Sequence, residues 1–232
     1  MINLIHIPKT GGTAIRHSLR GSGCKNIKYP NTHAFSLFSK NNQNIGFIVR
    51  DPWERFCSGF WDFKTTLQRI PLAKNAENLP YVIPHKPQQM TEEENFILAN
   101  IADPNSFVEW LIEKDGNVDL YSRELNLHSD LGMMTCSLYY WLGDLEKYKS
   151  AESNVNVAID ITALSSYMSN HHEVTMVSNP FGARSRKQFN IEQPYTATES
   201  NLNWFKEWRK DDYLLVDYIK TKEYYYEESY AF

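Results

Sequence analysis

Ile2-Asn3-Leu4-Ile5-His6-Ile7-Pro8-Lys9-Thr10-Gly11-Gly12-Thr13-Ala14-Ile15-Arg16-His17-Ser18-Leu19 passes from an apolar run, through a glycine pair, into a helical pattern. The run Ile2 to Ile7 is short, rich in β-branched residues and halted by Pro8, which predicts a buried strand and not a helix. Lys9-Thr10-Gly11-Gly12 is then a loop, and Thr13 to Arg20 a helix stopped by Gly21-Ser22-Gly23. Lys25 to Tyr29 and Ile45 to Val49 are further strand candidates. After the latter, Asp51-Pro52-Trp53-Glu54 has the chemistry of a capping box, with an acid at the cap, proline at the first helical position and glutamate at the third. The helix it opens carries Trp53, Phe56, Cys57, Phe60, Trp61, Lys64 and Leu67 at three- and four-residue spacing, an apolar face. Strand, loop, helix, strand and helix over the first 70 residues predict a parallel βαβ arrangement with right-handed crossovers.

The whole chain has 232 residues, 42% of them hydrophobic, 14% aromatic and 22% charged, with a formal net charge of −4. A chain of this length removes roughly 70–75% of its unfolded surface from water and needs no disulfide or structural metal to hold a core. The acidic balance argues against a general nucleic-acid binder but leaves room for a local basic pocket. Cys24, Cys57 and Cys136 are odd in number and form no CxxC pair, so reduced thiols are expected in place of a disulfide framework or a zinc site. No apolar run approaches the ~18 residues of a membrane span, and no signal-peptide pattern is present. The expectation is a cytoplasmic protein.

Beyond the second helix, Pro71, Pro80, Pro84 and Pro87 fall in a polar stretch that predicts a long loop over residues 70–90. Thr91 caps a helix through Ala102, and Asp103-Pro104 starts another that runs to Lys114. Ser137 to Leu142 and Val155 to Ile161 read as strands, Thr162 to Asn170 as a helix, and Ser200 to Lys220 holds helical periodicity. No internal repeat and no second-domain boundary stands out, so residues 1–232 are read as one domain.

Two segments carry chemistry. In His6 to Thr13, Gly11 and Gly12 let a ligand approach the backbone, the helix start offers unspent N–H groups and the positive dipole end, Lys9 adds a charge, and Thr10 and Thr13 add hydroxyls. This suits a phosphate-like anion. It is not a Walker A loop, because Lys9 precedes the glycines. In Phe47 to Ser58, Arg50 stands where a buried strand exits, the end of an open α/β sheet at which ligands bind. Ser58 lies two turns into the next helix, and a guanidinium and a hydroxyl so placed can converge on one phosphate.

Together these segments resemble the sulfotransferases that use 3′-phosphoadenosine 5′-phosphosulfate (PAPS), most of all their carbohydrate sulfotransferase branch. "HIPKTGGTAIRHSL" is similar to that family's 5′-phosphosulfate loop, and "IVRDPWERFCSGFWDF" to its 3′-phosphate element. The likeness is close up to the helix carrying Ser58 and loose beyond it. It implies a P-loop-like three-layer sandwich, with a central, mainly parallel sheet flanked by helices. It also implies that Lys9 neutralises the bridging oxygen of the donor and that Thr10, Gly11, Gly12 and Thr13 hold its 5′-phosphate. Arg50 and Ser58 would bind the 3′-phosphate. In similar enzymes the catalytic histidine falls between the two phosphate segments, and His33 alone occupies that interval, making it the implied general base. His6 is the alternative, although a histidine ending a strand also suits a core role. Related enzymes bring a late Arg/Lys loop over the 3′-phosphate; Arg186 and Lys187, in Arg184-Ser185-Arg186-Lys187, stand open between that role and a solvated charge run.

The resemblance thus implies a PAPS-dependent O-sulfotransferase acting on a carbohydrate or glycolipid hydroxyl, without a metal. A nucleotide-dependent kinase of related fold and a nucleotide-binding module that has lost catalysis are the competing readings. His171-His172 lack a third metal ligand in the sequence. His17 reads as a surface residue, and Tyr224-Tyr225-Tyr226 as terminal packing.

Overall fold

The strand following the long middle of the chain pairs directly with the strand that delivers Arg50, so distant segments meet in one sheet. The structure is a computed structural model that describes residues 1–29, 44–73, 92–114, 137–177 and 194–228. Its sheet comprises β1 (Ile2–Leu4), β2 (Ile27–Lys28), β3 (Ile45–Val49), β4 (Val155–Asp160) and β5 (Tyr225–Tyr226). The order is β2-β1-β3-β4-β5, and every pairing is parallel. Asn3 pairs with Ile45 and Phe47 with Ala158, while Ile159 pairs with Tyr226. All five β3 residues are buried, the pattern of a strand covered on both faces.

The described chain divides into two compact units. The first contains the sheet. On one face, Leu4, Ile48, Val157 and Ile159 pack with Ile15 of α1 (Gly12–Leu19) and with Leu164, Tyr167 and Met168, which belong to a helix at Leu164–His172. Successive strand residues point to opposite faces, and Phe47, next to Ile48, meets the Tyr148 ring edge-on at 6.2 Å. Helices therefore cover both faces, which makes this unit an α/β sandwich.

The second unit gathers the aromatic residues of α2 (Pro52–Ala73, from Phe56 onward), α3 (Glu92–Asn100), α4 (Pro104–Glu113) and a helix at Glu199–Trp208. Phe56 stacks on Phe107 at 5.5 Å and lies 4.9 Å from Phe205, and Phe107 stacks on Trp110 at 5.7 Å. Lys64 Nζ donates to the carbonyls of Leu98 (2.7 Å) and Ile101 (2.6 Å), so a cation closes the C-terminal end of α3. Burial pulls the Lys64 ammonium below its ordinary range.

Most expected elements are found within two or three residues. Asp103 caps α4 through Ser106 N–H at 3.0 Å, with Pro104 at the first position. Other expectations are corrected or refined. Ser137 to Leu142 is not a strand: Ser137 Oγ and Leu138 N–H are both held by the buried carboxylate of Asp212, and the chain turns into a short helix, α5 (Tyr139–Leu142). The β-preference of Leu-Tyr-Tyr-Trp gives way to that anchor. α6 (Leu145–Ala151) follows it, and α7 is the Leu164–His172 helix already mentioned. The stretch 200–220 is two helices, α8 (Glu199–Trp208) and α9 (Lys210–Lys220), because Arg209 leaves helical geometry at φ −114°, ψ 25°. Tyr225 and Tyr226 form β5 itself, and Tyr225 Oη donates to Asp160 Oδ2 at 2.6 Å. Residues 70–73 of the loop expected at 70–90 belong to α2, and residues 74–91 lie outside the described part.

Candidate functional site

The chain leaves β1, forms β2 on one side of it, then crosses to form β3 on the other. This reversal is a topological switch point, and ligands of open α/β sheets bind beyond the carboxyl ends of the strands that flank it. The two segments at that position here are the loop from Ile5 to Gly11 and the residue after β3, Arg50. They touch: Arg50 Nη1 donates to the Lys9 carbonyl oxygen at 3.0 Å.

The loop has a specific shape. Thr10 is buried and its hydroxyl donates to the Ile7 carbonyl at 2.8 Å, so what it can offer a ligand is its backbone N–H. Lys9 takes a left-handed conformation, φ 67°, which costs a non-glycine residue about 1 kcal/mol or more. Gly11 is left-handed too, at φ 87°, and caps α1 with no side chain. A Cβ there would stand 3.0 Å from Ile161 Cδ1, so the loop is pressed onto the residues after β4. The N–H groups of the first turn of α1 have no intrahelical acceptor, and no side chain caps them, the arrangement at which helix starts can receive an anion. Thr13, exposed in that turn, keeps its hydroxyl outward-accessible.

On the β3 side, Asp51 Oδ1 accepts the Glu54 N–H at 3.0 Å, the expected cap of α2. The second half of a capping box is absent, since the Glu54 carboxylate lies 3.5 Å from Arg50 Nε. On the β2 side stand His6 and Tyr29, their rings 5.2 Å apart. Both press on Gly12, where any side chain would overlap Tyr29 Oη and His6 Nε2. Burial raises the Tyr29 phenol well above its ordinary range, only partly opposed by the nearby Arg16 cation. Tyr29 and Glu54 were not singled out as site residues by the sequence. In the sequence Glu54 reads as part of a cap, and Tyr29 carries no signal beyond its place at the end of the Lys25 to Tyr29 strand candidate.

The structure thus brings together Lys9, Thr10, Gly11, Gly12, Thr13 and Arg50 of the expected set, with His6 beside them. Ser58 is half-buried on α2, in the second unit. His33, Arg186 and Lys187 lie outside the described residues. His17 is half-buried on α1. His171 and His172 pack around Tyr167, at 4.7 and 5.4 Å, and the described residues include no group of three or more metal-ligating side chains. Burial, with the neighbouring His171, holds the His172 imidazole below its ordinary range. No described helix is long and apolar enough to cross a membrane.

Compared with protein-family models, curated proteins and solved structures, the chain matches none of them.

Proposed function

We propose that this chain is a sulfotransferase that moves the sulfuryl group of PAPS to a hydroxyl of an acceptor, a carbohydrate or glycolipid, on a P-loop-like sandwich. The observation that carries the proposal is the junction of Lys9 and Arg50, 3.0 Å apart through the Lys9 carbonyl at the switch point of the sheet. A basic loop ending in uncapped N–H groups and an arginine from the adjacent strand suit a ligand with two separated anionic groups. PAPS is such a ligand.

In the reaction the acceptor oxygen attacks sulfur as its proton passes to a base. The bond from sulfur to the 5′-phosphate oxygen breaks, its electron pair stays on that oxygen, and adenosine 3′,5′-bisphosphate leaves. The backbone N–H groups of Thr10 to Thr13 would hold the 5′-phosphate. Lys9 would meet the charge that grows on the bridging oxygen, the kind of electrostatic help that dominates many catalysed transfers. Arg50 would take the 3′-phosphate, a site that PAPS fills and ATP does not. The role of His33 as base, and those of Ser58, Arg186 and Lys187 in donor binding, rest on the sequence resemblance.

Thermal shift with adenosine 3′,5′-bisphosphate, with ATP and with buffer tests the donor, followed by transfer of radiolabelled sulfate to a glycan panel. Stabilisation by the bisphosphate and labelled product are expected. A shift with ATP alone would favour a kinase of related fold. Tight bisphosphate binding without transfer to any acceptor would favour an inactive nucleotide-binding module.

A further inference from the structure

Arg50 is held along two edges by contacts of unequal quality. Its Nη1 makes a well-formed hydrogen bond to the Lys9 carbonyl, 3.0 Å. Its Nε faces Glu54 Oε2 at 3.5 Å, an ion pair longer than the ~2.7–2.9 Å of a strong charge-assisted hydrogen bond. The guanidinium side chain is only 10% exposed, whereas that of Glu54 is 42% exposed. A cation so enclosed is costly without a counter-charge, and Glu54 supplies one at little commitment of its own. The helix start does not depend on the Glu54 carboxylate, because Asp51 accepts the Glu54 N–H.

We propose that Glu54 competes with the nucleotide's 3′-phosphate for Arg50, limiting the affinity for adenosine 3′,5′-bisphosphate and speeding its departure. This rests on the assignment of Arg50 to the 3′-phosphate. A phosphate dianion presents more charge and a two-pronged face to the guanidinium. It displaces Glu54 from the Nε edge while Nη1 keeps the Lys9 carbonyl. A ribose 3′-hydroxyl carries no such charge and leaves the Glu54–Arg50 pair in place. As the spent nucleotide leaves, the returning carboxylate refills the edge the phosphate vacates, so release does not strand the enclosed cation without a counter-charge. Release of product limits the turnover of many enzymes, and a carboxylate one helical turn from the phosphate ligand is a direct means of shortening it.

The test is titration of the full chain with adenosine 3′,5′-bisphosphate and with adenosine 5′-monophosphate, for native protein, Glu54→Gln, Arg50→Ala and the double variant, together with bisphosphate dissociation rates. Glutamine keeps the length of the side chain and Asp51 still caps α2, so Glu54→Gln retains the fold, checked by its thermal midpoint. Glu54→Gln should bind the bisphosphate roughly threefold to fivefold tighter, the size of a partly solvated ion pair. It should release the ligand more slowly by a similar factor and bind the monophosphate as native does. In the Arg50→Ala background the gain should vanish, because Glu54 acts through Arg50. The proposal is overturned if Glu54→Gln binds the bisphosphate no tighter, if both nucleotides gain equally, or if the gain survives without Arg50. If Arg50→Ala leaves the native preference for bisphosphate over monophosphate unchanged, the 3′-phosphate assignment itself falls, and the competition falls with it. If Arg50→Ala removes that preference and Glu54→Gln does nothing, the assignment stands and only the competition falls.

Discussion

Tyr29 Oη occupies the space that a side chain on Gly12 would need. The first residue of α1 is therefore glycine for a packing reason, and the same closeness keeps its N–H and the adjacent donors in a fixed frame. Gly12→Ala forces the Tyr29 and His6 rings aside and should cost about 1–3 kcal/mol of stability, the usual range for overpacking. The Tyr29 hydroxyl is buried without a hydrogen-bond partner among the described residues, so Tyr29→Phe should be close to neutral. The double variant should recover part of the alanine loss, because removing Oη opens room for the methyl group. Denaturant midpoints of the four proteins check this; strictly additive losses would show that the two residues do not share the space.

Lys9 combines a strained backbone with the proposed catalytic charge, so its two roles can be separated. Lys9→Gly relaxes the left-handed φ of 67° and should be at least as stable as native. Lys9→Ala keeps the strain. Both should lose about 10²–10³-fold in turnover, the usual effect of deleting one electrostatic contact to a developing anion. Thermal midpoints and single-turnover rates distinguish the roles, and near-native turnover in either variant would remove Lys9 from the chemistry.

Arg50→Ala should weaken binding of the bisphosphate and, to a smaller degree, of adenosine 5′-monophosphate. The second effect follows from the hydrogen bond to the Lys9 carbonyl, whose loss loosens the loop that the 5′-phosphate would use. The first should be larger by about 1.5–3 kcal/mol, the contribution of a charged hydrogen bond. Calorimetric titration with both ligands reads the difference.

Asp160 should make the first unit sensitive to acid. Burial alone would raise its pKa. Hydrogen bonds from Thr162 (2.8 Å from N, 2.6 Å from Oγ1) and Tyr225 (2.6 Å) outweigh that effect and, with the Lys220 charge, hold the carboxyl below the usual range. A carboxyl depressed in the folded state stabilises fully above its unfolded value of about 3.9, and that stability is lost as pH falls through the lower folded value. Native protein should therefore exceed Asp160→Asn in stability by about 1 kcal/mol at neutral pH. The gap should close below pH ~3–4. Thermal midpoints against pH for both proteins are the measurement, and a gap that widens in acid would contradict the assignment.

His33→Ala should abolish transfer while leaving bisphosphate affinity nearly unchanged, since a general base meets the acceptor and not the phosphates of the donor. The native rate should rise with pH through a group near neutrality as the imidazole loses its proton. If His33→Ala retains full activity, His6 becomes the residue to vary.

The signals that worked in the sequence were local ones. Proline and glycine bracket β1 and α1, and Asp51-Pro52 and Asp103-Pro104 announce their helices, because each depends on backbone chemistry within a few residues. Where a distant partner decides, the local pattern misleads. Ser137 and Leu138 follow Asp212 and abandon the extended form that their neighbours favour. The tyrosines at 224–226 read as a loose end, yet β4 recruits two of them as its outer neighbour. The sequence marked the loop and Arg50 as the segments at the strand ends. Their direct contact was not legible there, nor was the approach of Glu54 to Arg50, because both depend on strand order and side-chain direction.

The first unit is assembled from residues 1–55, 137–183 and 209–232, with the whole of the second threaded between them. Its sheet cannot be completed until residue 226 is present, because β5 is then the strand that covers the exposed flank of β4. During synthesis at the ~5–20 residues per second of a ribosome, β1 and β3 are made many seconds before their last companion arrives. From the synthesis of residue 160 to that of residue 226, β4 presents an open row of peptide groups, the surface on which strands of other molecules can add. Such long-range closure also makes for slow folding. Shortening the chain before β5 should therefore harm recovery of soluble protein more than two lost residue pairs suggest.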